Sequence, residues 1–189
     1  MQTNKIILGF VGDLASGKGT VCKYLNEKYG VNSYRFSTML RDVLNRIYVE
    51  QNRENLQDLS TFLRQRYGQD IMSKVIVKDV LNDKNNIVAV EGIRRPTDIT
   101  YLRELSGFHL IYITAEAKIR WQRMVSRKEN ADDANKTFEQ FLKDEQAEAD
   151  ALIKELGKKA EFTITNDDAM EEFYSKMEGV LKKIHESQN

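Results

Sequence analysis

The chain is short of the residues that mark several protein classes. It has one cysteine, Cys22, among 189 residues. A lone thiol forms no internal disulfide, so a reducing compartment, the cytoplasm, is the expected setting. Two isolated histidines, His109 and His185, do not compose a zinc site with one thiol. A single proline, Pro96, leaves no Pro-rich linker, and no repeat is evident. No run of about 18 apolar residues occurs, so no membrane span is expected. Met1 to Lys5 is polar and leads straight into an apolar stretch, without the apolar core of a secretory signal. Neither charge is in surplus: Lys+Arg and Asp+Glu both number 29. A neutral chain has no global basic field, which argues against general nucleic-acid binding or adhesion to a membrane surface.

What is present patterns as one soluble domain spanning 1–189, with 41% hydrophobic and 31% charged residues. Short apolar runs read as buried strands at Ile6–Val11, Asn86–Val90, Leu110–Ile113 and Phe162–Thr165, with a weaker strand at Ser33–Phe36. Helical spacing predicts helices over 18–29, from near Met39, around Leu59–Leu63, over Ile71–Val80, over 116–128, and from Phe173 to Leu181. Ser37 and Thr38 are the expected caps of the helix near Met39. Gly68 is expected to break the second of these helices from the third. Residues 129–136 read as a loop, and a long charged helix is expected from Thr137 to about Leu156. Strands alternating with helices imply a parallel sheet covered on both faces. Trp121 and the tyrosines read as packing residues.

The strongest signal is Gly12-Asp13-Leu14-Ala15-Ser16-Gly17-Lys18-Gly19-Thr20, which follows a strand and opens a helix. Glycines let the backbone curl so that successive N–H groups point inward as an anion nest. The helix that follows adds its positive end. Lys18 supplies a cation for the β- and γ-phosphates of a nucleotide, and the Thr20 hydroxyl is a candidate Mg²⁺ contact. The segment is therefore read as a phosphate-binding P-loop.

The Gly-Lys-Gly-Thr form resembles adenylate kinases and other nucleoside monophosphate kinases. Ser37-Thr38-Met39-Leu40-Arg41 is similar to their Ser-Thr-Gly-Asp-Met-Leu-Arg run, two residues shorter. By that resemblance Ser37 and Arg41 hold the acceptor, Arg41 through a guanidinium fork on its phosphate. Glu91-Gly92-Ile93-Arg94-Arg95-Pro96 resembles their Asp-Gly-Phe-Pro-Arg segment. It is closer still to the Asp-Gly-Ile-Arg form of an adenylate-kinase-related, dephospho-CoA-kinase-like group. The resemblance implies that Glu91 orients Mg²⁺-bound water, and that Glu91, Gly92 and Arg94 face the acceptor, with Arg94 clamping a phosphate. Arg120, Arg123 and Arg127 share one helix face by their spacing. In related kinases a lid here brings arginines over the ATP phosphates. Arg123 and Arg127 are then expected to act in transfer, and Arg120 to stack on adenine. Asp132-Asp133 resembles a paired aspartate of adenylate kinases, with Lys143 as the nearest basic candidate. Thr165-Asn166 stands where those kinases contact adenine.

The implied fold is a three-layer α/β/α P-loop NTPase fold. It has a five-stranded parallel sheet, a helical acceptor-binding region at about 37–84 and a short lid at about 116–140. The implied activity is transfer of the γ-phosphoryl group of ATP, with Mg²⁺, to a small phosphorylated acceptor, a nucleoside monophosphate first. The alternatives are a hydroxyl acceptor such as dephospho-CoA, with Asp13 or Glu91 as base, and an ATP-binding switch or assembly factor.

Overall fold

A computed structural model describes residues 5–127, 133–145 and 148–188. Five strands, β1 (Ile6–Gly12), β2 (Asn32–Arg35), β3 (Ile87–Ile93), β4 (Phe108–Thr114) and β5 (Phe162–Thr165), form one sheet in the order β2-β3-β1-β4-β5. Every pairing is parallel. β1 is central, and all seven of its residues are buried. Its side chains alternate between two cores: Ile7 and Val11 enter one, and Ile6, Leu8 and Phe10 the other.

The helices are α1 (Lys18–Tyr29), α2 (Phe36–Arg46), α3 (Arg53–Tyr67), α4 (Ile71–Asn82), α5 (Ala117–Arg127), α6 (Phe138–Asp144), α7 (Glu148–Lys158) and α8 (Met170–Gln188). Leu40 of α2, Ile76 and Val80 of α4, and Ile153 and Leu156 of α7 cover one sheet face. Val21 and Leu25 of α1, with Phe173, Met177 and Ile184 of α8, cover the other. Burying each such side chain contributes about 1.5–3 kcal/mol, so the two layers hold the sheet from both sides. The result is the expected three-layer α/β/α arrangement around a five-stranded parallel sheet.

Several boundaries differ from the sequence reading. α2 begins at Phe36, not near Met39, and neither Ser37 nor Thr38 caps it. Phe36 is 6% exposed and packs in the core, so burial of its ring draws the helix start forward. β3 continues past Val90 to include Glu91 and Gly92. There the register against β1 shifts between Phe10 and Val11, and Gly92 takes φ 80, a bulge that re-aims the chain beyond it. The single charged helix expected over 137–156 is two helices, α6 ending at Asp144 and α7 starting at Glu148. Gly68 does close α3, and Pro96 opens a short 3-10 turn, Pro96–Ile99. Among the described residues no helix is long and apolar enough to cross a membrane.

The sheet leaves little room where β1 enters it. A methyl group on Gly107 would lie 1.8 Å from the Lys5 carbonyl oxygen, whereas one on Gly179 of α8 would meet nothing within 4 Å. Gly107→Ala is therefore expected to cost about 1–3 kcal/mol and to lower Tm by roughly 3–10 °C. Gly179→Ala should raise stability by about 0.5–1 kcal/mol. Thermal denaturation of the two variants checks the pair.

Candidate active site

The loop between β1 and α1 is shaped by two left-handed residues, Ala15 at φ 57 and Gly17 at φ 109. Gly12 is fixed by close packing, because a Cβ there would sit 2.1 Å from the Ile113 carbonyl oxygen. The Ser16 amide donates to the Asp13 carbonyl at 3.2 Å. The Ser16 hydroxyl is buried without a partner among the described residues. Lys18 opens α1, and its Nζ donates to the carbonyls of Gly12 and Asp13, both at 2.8 Å. The ammonium thus lies back across its own loop.

The Lys18 pKa is lowered from its ordinary value to about 8, first by burial and then by the Arg94 charge; Asp13 and Glu91 oppose the shift, and Arg127 adds to it. Four sequence-separated segments therefore converge on one amine: the loop, the end of β3, the turn after it, and the end of α5. Arg94 is exposed, and its guanidinium makes no hydrogen bond among the described residues. A charged group placed near Lys18 without a protein counter-ion suits an anionic ligand.

On the acceptor side Glu91 is 7% exposed. Arg35, which ends β2 and pairs in register with Glu91, donates to Glu91 Oε1 through Nε at 2.9 Å and Nη2 at 2.7 Å. Both bonds use one oxygen. The other, Oε2, lies 3.9 Å from where a Cβ on Gly19 would be, beside the start of α1. Thr20 is half-buried one residue further along α1. A single uncommitted carboxylate oxygen and a hydroxyl suit Mg²⁺, which keeps several waters and takes few protein ligands. Among the described residues no group of three acidic, histidine or cysteine side chains forms a fuller metal site.

Asp13 is held from the β4 side. Its Oδ2 accepts from the Tyr112 hydroxyl at 3.0 Å and the Thr114 hydroxyl at 3.1 Å, so the carboxylate turns toward the end of β4. Each of the two candidate bases keeps one oxygen without a hydrogen bond among the described residues, Oε2 of Glu91 and Oδ1 of Asp13. Ser37 is half-buried in the first turn of α2. Arg41 is exposed and donates to Gln51 Oε1 at 3.4 Å.

Two of the three α5 arginines are also placed otherwise than expected. Arg120 is 4% exposed. It donates to the Ala115 carbonyl at 2.8 Å, to the Leu14 carbonyl at 3.4 Å, and to both carboxylate oxygens of Glu145. Its guanidinium carbon lies 5.5 Å from the Phe141 ring centroid. With its donors committed and a ring against it, Arg120 braces the phosphate loop instead of stacking on a base. Arg123 donates to the Asn166 carbonyl at 2.9 Å and to Asn166 Oδ1 at 3.4 Å. Asn166 in turn donates through Nδ2 to the Ser16 carbonyl at 2.8 Å, and it is 2% exposed. Arg123 and Asn166 therefore buckle the end of β5 to the loop. Arg127 remains the α5 arginine whose charge reaches Lys18.

Ile119, Gln122, Arg123, Ser126 and Arg127 line an open depression of about 470 Å³ on the outer face of α5. Trp121 donates to the Lys136 carbonyl at 2.8 Å and packs on Phe138, a structural tie. Asp132 lies outside the described residues, as does the side chain of Asp133, and Lys143 is exposed on α6.

Sequence reasoning missed Arg35 and Glu145. Arg35 was legible as a strand-end arginine beside a strand-end glutamate, once parallel pairing of β2 and β3 is assumed. Glu145 lies 25 positions from Arg120, and no local signal joins the two.

A family profile described as an AAA domain matches residues 11–141. A UPF0200 protein of Sulfurisphaera tokodaii is 30% identical over 179 residues, 94% of this chain and 97% of that protein. A UPF0200 protein of Pyrococcus abyssi is 28% identical over 184 residues, 95% of this chain and 97% of that one. Among solved structures, shikimate kinase from Bacteroides thetaiotaomicron superposes with TM-score 0.64 at 12% identity, over 95% of this chain and 98% of that one. Dephospho-CoA kinase from Campylobacter jejuni does so with TM-score 0.57 at 16% identity, over 96% and 98%. At those identities the likeness is one of fold, that of P-loop kinases. The match across most of the chain's length makes it a member of the AAA domain family of P-loop proteins, grouped with the UPF0200 proteins.

Proposed function

We propose that the protein is an ATP-dependent phosphotransferase that moves the γ-phosphoryl group to a small acceptor. The observation that carries the reading is the loop itself: left-handed Ala15 and Gly17 curl it, and a half-buried Lys18 lies back across it on the Gly12 and Asp13 carbonyls. In the proposed reaction the loop amides and Lys18 hold the β- and γ-phosphates of ATP. Arg94 and Arg127 stabilise the charge that spreads over the transferred group. When bound, Mg²⁺ would neutralise charge between the β- and γ-phosphates. Thr20 and the free oxygen of Glu91 are the residues that would hold its waters. The depression beside Arg123 and Arg127 offers space for the nucleoside end of ATP.

The acceptor favoured first is phosphorylated, a nucleoside monophosphate. Arg94 supports it, because an exposed guanidinium beside Lys18 suits an anionic acceptor. Such an acceptor attacks through an oxygen that is already ionised and needs no general base. A second reading, a hydroxyl acceptor of the dephospho-CoA or shikimate kind, draws on the uncommitted Glu91 Oε2 as the group that takes the proton. ADP release across a panel of nucleoside monophosphates, dephospho-CoA and shikimate discriminates the two.

Lys18→Ala should lower turnover by at least about 1,000-fold with Tm unchanged within a few degrees. Turnover near the wild-type rate would remove the phosphate-loop assignment. The pH profile is a second check. With a free-protein pKa of about 8, Lys18 loses its proton as pH rises through that value, and kcat/KM for ATP should fall above it. Bound phosphates hold the proton on, so kcat should break at higher pH. Lys18→Arg, which stays charged, should abolish the break in kcat/KM.

A further inference from the structure

Nothing among the described residues grips the Arg94 guanidinium, so its location depends on the backbone beneath it. That backbone is held by Asp98. Its Oδ2 accepts from the amides of Arg94 and Arg95, both at 3.0 Å. The other oxygen, Oδ1, accepts from Arg64 Nη2 at 2.8 Å. Arg64 belongs to α3, in the region between β2 and β3 assigned to the acceptor, and also donates to the Gln69 carbonyl in the turn after α3. The pair is buried, with side-chain exposures of 8% and 3%.

Capping the turn after β3 needs Asp98 alone. The arginine is a further element, and a costly one, because its Nε is buried without a partner among the described residues and a buried ion pair is seldom more stable than an apolar one. Neighbouring contacts repeat the connection. The Tyr101 hydroxyl donates to Asp70 at 2.6 Å, and the Tyr101 amide to the Ser73 hydroxyl at 3.4 Å. The elbow of α3 and α4 is thus tied at several points to the segment that starts at Arg94.

We propose that Arg64 and Asp98 are positioning residues for Arg94: the buried pair transmits the placement of the acceptor-side helices to the guanidinium that meets the acceptor. The proposal rests on the kinase reading for the identity of what Arg94 meets, and on the hydrogen-bond geometry for the rest. One oxygen of Asp98 reads α3, and the other sets the two amides that aim Arg94. Neither Arg64 nor Asp98 touches substrate.

The test uses Asp98→Asn, Arg64→Lys and Arg64→Met in the full chain, alone and in an Arg94→Ala background. The amide introduced by Asp98→Asn accepts through its oxygen and donates through its nitrogen, so it cannot serve α3 and both amides together. Asp98→Asn should lower kcat/KM for the acceptor by about 100-fold, the scale of an ångström-sized misplacement, with KM for ATP within about threefold of wild type. Arg64→Lys, which keeps the charge, should recover part of what Arg64→Met loses. In the Arg94→Ala background Asp98→Asn should add less than about threefold, since residues acting as one unit are not additive. Full multiplication of the two losses, or an equal rise in KM for ATP, overturns the proposal.

A readout independent of turnover is the binding of inorganic phosphate, followed by calorimetry. Arg94→Ala removes a cation and should weaken binding by about tenfold. Asp98→Asn removes a negative charge, which by itself favours an anion, so weaker binding in this variant reports a misplaced Arg94; binding should weaken severalfold, and the double variant should be no weaker than Arg94→Ala alone. Unchanged or tighter binding in Asp98→Asn overturns the proposal even if every variant folds. If the wild type transfers phosphate to no acceptor, the kinase reading falls, and the phosphate comparison still decides the positioning.

Discussion

The site is organised around a cation held where water solvates it poorly. Lys18 is half-buried at the start of α1, beside the left-handed turn at Gly17, and its ammonium is bonded to the Gly12 and Asp13 carbonyls. Two dipoles are weak compensation for lost hydration. A polyphosphate compensates far better, because it brings formal charge to the same position. Under the kinase reading, such an arrangement is already shaped for the ligand before it arrives, which is the meaning of electrostatic preorganisation. The chain positions the loop through packing elsewhere: Gly12 pressed against β4, and Asn166 at the end of β5 bonded to the Ser16 carbonyl.

Around that cation the arginines divide by whether a carboxylate answers them. Arg35 meets Glu91, Arg64 meets Asp98, and Arg120 meets Glu145. Each of these pairs joins segments far apart in sequence. The first links β2 to β3, the second α3 to the turn after β3, and the third α5 to the segment following α6. Asp98 and Glu145 are nearly enclosed, and removing either partner strands a charge out of water, which is far more costly than the pair is stabilising. These arginines hold the scaffold. Arg94 has no such answer among the described residues and is exposed, which leaves its guanidinium available to the anion that the kinase reading proposes. A basic residue's role is thus decided by its partner and not by its position in a motif.

That division explains what was legible in the sequence. The strand, loop and helix at residues 6–29 were readable because every determinant is local: an apolar run, glycines, then a helical period. The parallel sheet followed from alternation of elements. The shared face of Arg120, Arg123 and Arg127 was also readable, since helical spacing fixes it. Their roles were not, because Glu145 and Asn166 lie 25 and 43 positions away from Arg120 and Arg123. The start of α2 shows the same limit at shorter range. Ser37 and Thr38 have the chemistry of caps, yet the burial of Phe36 decides where the helix begins. Tertiary packing outweighs a capping bond of about 1 kcal/mol.

The two sides of the site are anchored by different parts of the sheet. On the nucleotide side, Asn166 and Arg123 tie the ends of β5 and α5 to the loop, and Arg120 ties α5 to Leu14. On the acceptor side, Arg64, Asp70 and Ser73 tie the elbow of α3 and α4 to residues 98–101. The α2 end of the acceptor region has no comparable set of ties: Arg41 reaches Gln51 at 3.4 Å, and Ile47 and Tyr48 are 57% and 90% exposed. Tyr48 also takes φ 59, a left-handed conformation that costs a non-glycine residue about 1–2 kcal/mol. Local opening begins where buried apolar contacts are few. Under the kinase reading, adjustment to an acceptor would concentrate between α2 and α3, while Arg94 would keep its place on the anchored half.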